Sequence, residues 1–408
     1  MKSLILALLL ASPFASLVAQ VITQSAELPA PGRFGAVTFV IDSFAYAGLG
    51  ETGSEQYPTQ FFKYNSTTDE WSQIASFPGS GREHAVAFTL NGQGYVGLGF
   101  SFAGVDFTFH KDFFRYDPLA DEWTAVADFG GEARVKAVAF VVDSTAYAGT
   151  GSNAGVLLND FWKYDEESDI WVPVASLGNI TPRQGAASAV VDGKAYLIGG
   201  RGDAGVFSED ILEFDPSAGD TWTVKRSIPG LQLESGAAFE LNHQIYFGYG
   251  GNASGLHLYD PVENNATAFG QLPDLKSIDR GPIAFAIDSV TAFFGLGYSS
   301  VVANQPASYR KELWKLEVEI VSSVQYAQPG LSAKIIPAGP SVYRVLSDIR
   351  EACGIMVYGL NAMPVYCREQ VFPGEVFSLD IPTGIYCVAI QSTSGNVASQ
   401  LLFHRSDN

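Results

Sequence analysis

The sequence predicts an all-β chain: a six-bladed β-propeller followed by a small β-sandwich. Three columns of residues predict the propeller. An aromatic recurs at Tyr46, Tyr95, Tyr147, Tyr196, Tyr246 and Phe293, with spacings of 49, 52, 49, 50 and 47. Thirteen residues before it stand Arg33, Arg82, Arg134, Arg183, Leu233 and Arg280. After it come Trp71, Trp123, Trp171 and Trp222, with the fifth unit having lost its tryptophan near Ala266. Columns that share a period of about 50 residues mark stacked supersecondary units.

Each unit resolves into four short strands. The first is apolar, as in Ala85-Val86-Ala87-Phe88, and ends at a tight turn such as Asn91-Gly92 or Asp192-Gly193, whose residues tolerate positive φ. The second strand carries the aromatic and runs into a glycine pair. A longer loop leads to the third strand, as in Asp160-Phe161-Trp162-Lys163-Tyr164, and an acidic turn precedes the tryptophan strand. Four antiparallel strands per unit build a propeller blade. Unit six stops after its third strand, near residue 316, while residues 22–29 align with residues 71–78. The N-terminal segment is therefore expected to supply the fourth strand of the last blade and hide two sheet edges.

These residues resemble the kelch repeat over roughly residues 21–320. That pattern is a glycine doublet, a spaced Tyr and a spaced Trp. Here the doublet is split, as in Gly48-Leu49-Gly50, and intact only at Gly199-Gly200 and Gly250-Gly251.

The ends of the chain speak to location. Lys2, the apolar run from Leu4 to Leu10 and Ala19 before Gln20 predict a signal peptide over residues 1–19. A propeller over 20–320, a linker over 321–330 and a β-sandwich over 331–408 follow. Cys353, Cys367 and Cys387 all lie in the last part and permit at most one intrachain disulfide. The Gly384-Ile385-Tyr386 step, an alternating strand, a turn, and a final Leu401-Leu402-Phe403 strand closed by His404-Arg405 resemble the C-terminal sorting domain of type IX secretion. Gln328-Pro329 stands where that family has Asn-Pro. The resemblance implies a protein secreted from, or displayed on, a Bacteroidetes-type cell, with the type IX machinery as a partner.

Composition excludes several functions. The net charge of −19 arises almost wholly in the first 320 residues, so nucleic acid and anionic membranes are poor partners. After the signal no second long apolar run occurs, so no membrane span is expected. The propeller region has no Cys and four His, which argues against copper-radical chemistry of the galactose oxidase kind. No nucleophile elbow, zinc helix or phosphate-cradling loop is present, so neither cofactor nor metal is expected.

Binding residues are expected on one face. The fourth-to-first and second-to-third connections emerge together there, with the longest loops at 100–111 and 298–310. Arg33, Arg82, Arg134, Arg183 and Arg280 open the first strands at this face. They suit either a carboxylate ligand or internal pairing with Asp112, Asp160, Asp210 and Glu312. Two residues on come Gly35, His84, Lys136, Gly185, Ser235 and Pro282, which makes His84 and Lys136 candidates for the channel mouth. His110 joins them on the loop of unit two, and an acid–base role for the two histidines requires that they meet. Phe102, Phe107, Phe109 and Tyr298 are loop aromatics suited to stacking. The expected function is non-enzymatic binding of a glycan or a protein. The alternative, implied by resemblance to secreted kelch proteins, is an epimerase or mutarotase acting on an acidic sugar such as sialic acid. A carboxylate–Arg–His cluster at the mouth would favour the enzyme.

Overall fold

The computed structural model describes the backbone of residues 17–53, 55–270, 278–300 and 308–321, with further strands at 4–7 and between 333 and 404. Side chains are described within 21–318, apart from 54, 254, 271–279 and 301–307. Six antiparallel sheets surround one axis. Their first strands, Val37–Ile41, Val86–Leu90, Val138–Val142, Ala187–Val191, Ala237–Leu241 and Ile283–Ala286, touch one another in sequence and close the circle from blade six to blade one. The remaining strands of each blade follow outward in chain order, as Phe44–Gly48, Phe61–Asn65 and Glu70–Gln73 do in blade one. In the sixth sheet, Thr291–Gly295 and Leu313–Val321 are followed outward by Leu17–Ser25.

The recurring residues of each unit explain the packing. The outer-strand tryptophan leans on the blade before it. Trp123 meets Phe39, Phe61 and Phe77 of blade one, and its indole N–H donates to Ala75 O at 2.9 Å. Trp171 meets Phe88, Phe113 and Phe129 of blade two, and Trp222 meets Phe140 and Phe161 of blade three. The acidic turn locks the same seam. Asp169, at φ 50°, accepts from the Tyr164 hydroxyl of its own blade and from the Ala127 N–H of the preceding one, both at 2.8 Å. Asp69 and Asp121 repeat this clasp with Tyr64 and Ala26, and with Tyr116 and Ala75.

The split doublet has a physical reading. Gly97 is glycine because a Cβ there would lie 2.3 Å from the Phe113 ring on the third strand. The residue equivalent to the first doublet glycine is the next one. Leu49, Leu98, Thr150, Tyr249 and Leu296 hold that left-handed conformation at φ between 53° and 59° without being glycine. Such residues store strain that surrounding structure must hold.

Several expectations fall elsewhere. Residues 1–3 and 8–16 of the expected signal, and 322–332, which cover most of the expected linker, lie outside the described residues. Between 333 and 404, strands pair antiparallel in one sheet of three and one of four. The expected sandwich packing and the state of Cys353, Cys367 and Cys387 rest on side chains outside the described residues.

Candidate functional site at the channel mouth

The arginine column turns inward. Arg33, Arg82, Arg134 and Arg183 are at most 1% exposed. In each, Nε donates to the carbonyl two residues earlier and Nη1 to the carbonyl of the strained doublet residue: Leu49, Leu98, Thr150 and Gly199. Three then close a two-pronged pair. Arg134 meets Asp160 at 2.7 and 2.8 Å, Arg82 meets Asp112 at 2.5 and 2.9 Å, and Arg183 meets Asp210. Burial works to raise the Asp160 pKa, but the guanidinium beside it holds that carboxyl below its ordinary value. Gln60 occupies the acid's place in blade one, and Arg33 has its pKa pushed down to about 10 by burial. Arg82, Arg134 and Arg183 thus turn their donors inside the blades, onto the doublet turns and an acid, while Arg33 Nη2 is buried without a hydrogen-bond partner among the described residues; the structure places all four inside the blades rather than on the open face.

Arg280 is placed differently from the other four arginines. The blade-six hairpin has a three-residue turn at 288–290 where blade one has two residues at 42–43. Counting back thirteen residues from the aromatic therefore stops one residue short, and Arg280 stands one position after that of Arg33 rather than in it. It is exposed, and Glu312 faces Arg310 at 3.6 Å.

The first strands begin at a ring of backbone hydrogen bonds. Gly35 N–H donates to Gly281 O, His84 to Gly35, Lys136 to His84, Gly185 to Lys136, Ser235 to Gly185, and Gly281 to Ser235, at 2.7 to 3.3 Å. All six residues have φ between 48° and 64°. The sixth member is Gly281 and not Pro282, by the same one-residue shift. Neighbouring strands lie about 4.8 Å apart, so a hexagon of that side leaves an aperture of only a few ångströms.

On the loop side of this ring each blade contributes a polar side chain to the channel mouth, which we call the cup. Lys136 belongs to the column two residues after the arginines; the others come from two further columns, the residue after the arginine position and the residue after the doublet. These columns pair as isolated bridges at Phe34–Glu51, Glu83–Phe100, Val135–Ser152 and Gln184–Arg201. Lys136 reaches from blade three to Glu234 of blade five at 2.7 Å, and Glu234 also receives Gln184 at 3.1 Å and Arg201 at 3.4 Å. Burial works to raise the Glu234 pKa, and Lys136 outweighs it to hold the carboxyl low. On the other side Tyr309 donates to Glu51 at 3.0 Å.

Glu83 stands apart. Its Oε2 is buried and has no hydrogen-bond partner among the described residues. Burial, with Glu51 adding to it, pushes its pKa up to about 7 against the pull of Lys136 and Arg280. Its neighbour His84 lies edge-on to Phe34, with centroids 5.7 Å apart, and burial, Lys136 and Arg280 push its pKa down to about 3. His110 instead bonds Ser101 Oγ through Nε2 at 2.9 Å, and burial pushes it down to about 4. Among the described residues no hydrogen bond joins the two histidines. His84 and Lys136 thus stand at the mouth, and His110 belongs to the loop of blade two. No cluster of metal-ligating side chains occurs among the described residues, and no helix there is long and apolar enough to cross a membrane.

Residues 182–227 match the kelch motif. The solved structure titled "Structure of YjhT" is similar with a TM-score of 0.59 and 16% identity, covering 72% of this chain and 99% of that one. At that identity the likeness speaks of the fold alone. No curated protein matches the chain. With six blades closing a circle and the kelch motif matched in the fourth, residues 22–317 form a six-bladed β-propeller of the kelch type.

Proposed function

We propose that the cup on the loop-rich face binds the acidic sugar of a glycan, and that the protein is an exported binding module. The observation that carries this reading is the mixed charge of the cup: Lys136, Arg201 and Arg280 from three blades beside Glu51, Glu83 and Glu234 from three others. A sugar acid presents one carboxylate and several hydroxyls, which cations and carboxylates respectively recognise. Export rests on the N-terminal apolar run and on the type IX-like C-terminal strand pattern, which make the secretion machinery the second partner. The binding test is calorimetric titration with N-acetylneuraminic and galacturonic acids. Arg280→Ala is expected to weaken the binding sugar at least tenfold. Uptake of neither sugar would overturn the reading.

A second reading rests on Glu83. A carboxyl poised near neutrality, with one oxygen free and cations beside it, suits proton transfer to and from a sugar's ring oxygen or anomeric hydroxyl. This is the chemistry of a mutarotase. NMR exchange between the anomers of N-acetylneuraminic acid tests it: acceleration by the wild type, lost in Glu83→Gln, supports it, and equal rates with and without protein reject it.

A further inference from the structure

The long loop of blade two is a β-hairpin, Phe100–Ala103 paired with Asp106–Phe109. Its register sets Phe109 opposite Phe100 and Phe107 opposite Phe102. Residues two apart on a strand, and residues directly opposite, share a face. Four phenylalanines therefore occupy one face, with centroids 4.7 Å apart for Phe102 and Phe107 and 5.3 Å for Phe100 and Phe109. Ser101 and Thr108 take the other face, where Ser101 is tied to His110.

The root of the hairpin fixes where that aromatic face leads. Glu83 and Phe100 exchange both backbone hydrogen bonds, at 2.8 and 3.0 Å. Such a pair projects its two side chains to the same side. The phenylalanine face thus continues outward from the Glu83 carboxyl. It ends at Phe107, 68% exposed, next to Val105 at 84%. Phe100, Phe102 and Phe109 are half-buried and Phe107 is open to water, so the outer end of this aromatic face is an unfinished surface. A pyranose ring completes it, because its C–H face covers an aromatic plane while its edge hydroxyls stay wet.

We propose that this hairpin is a stacking subsite for the next ring of the glycan, so that the ligand is an acid-capped oligosaccharide and not a free monosaccharide. The proposal rests on the cup reading above. Its test is calorimetry of N-acetylneuraminic acid against 3′-sialyllactose, and of galacturonic against trigalacturonic acid, with wild type, Phe107→Ala and Phe107→Trp. In one pair the longer sugar is expected to bind at least tenfold more tightly. Phe107→Ala should remove that gain while leaving the monosaccharide affinity unchanged, and Phe107→Trp should keep it. Equal affinity of short and long sugars overturns the stacking subsite and leaves the cup standing. Loss of monosaccharide binding in Phe107→Ala also overturns it, since the hairpin would then shape the cup itself. Binding of none of the four sugars overturns both.

Discussion

At the residue scale, two neighbours in the cup respond to pH in opposite directions. Glu83 has its folded pKa raised from 4.5 to about 7, so the folded chain holds a proton that the unfolded chain has released. Its contribution lowers stability as pH rises through that window, by up to about 3 kcal/mol. His84 has its folded pKa lowered from 6.5 to about 3, so the unfolded chain binds the extra proton and stability rises over that interval. Urea unfolding between pH 4.5 and 6.5 is expected to show these slopes partly cancelling in the wild type. Glu83→Gln should leave a rising profile and His84→Gln a falling one. The buried arginines yield a second prediction. Asp160→Asn strands the Arg134 charge in the blade and is expected to cost about 3–5 kcal/mol. Blade five shows the alternative: Leu233 stands in place of the arginine and Gly255 in place of its acid, so both partners have been lost together. Adding Arg134→Leu to Asp160→Asn should therefore recover part of the loss, a gain that a double-mutant cycle in urea detects.

At the element scale, the tryptophan seams and the rim hairpin separate by burial. Trp171, 7% exposed, is wedged among three phenylalanines of the preceding blade, and Trp171→Ala is expected to cost about 3–5 kcal/mol in chemical unfolding. Phe107→Ala on the hairpin should stay within about 0.5 kcal/mol in the same assay. The blades were legible because their aromatic, tryptophan and acidic-turn columns each answer to one repeated contact. The arginine column was legible as a column but not in its role. A buried guanidinium and a ligand-binding one look alike until the doublet carbonyls are seen around it. Arg280 was misplaced because spacing from the aromatic cannot reveal a hairpin turn one residue longer. Glu51, Glu83, Gln184, Arg201 and Glu234 were missed because their types vary from blade to blade. Only the position after the arginine, and the position after the doublet, recur.

At the scale of the whole molecule, six units must meet at one axis with compatible backbones. The left-handed ring residues are where this is decided. Gly281 is the most constrained, since a Cβ there would lie 2.5 Å from the Gly35 nitrogen, the donor of the hydrogen bond that joins blade one to blade six. Gly281→Ala is expected to lower stability by at least about 2 kcal/mol, read as a fall in the urea midpoint. His84→Gly relieves a non-glycine residue at φ 48° and should change stability by less than about 1 kcal/mol.

That ring also works as a drawstring. Its six N–H groups all point the same way round the axis, each peptide held by the one before it. No blade can swing outward without opening two links, so the floor of the cup ties each blade to both its neighbours. The turns between first and second strands lie on the far face, where His243 meets Asp192 at 2.6 Å, so a change there leaves these links untouched.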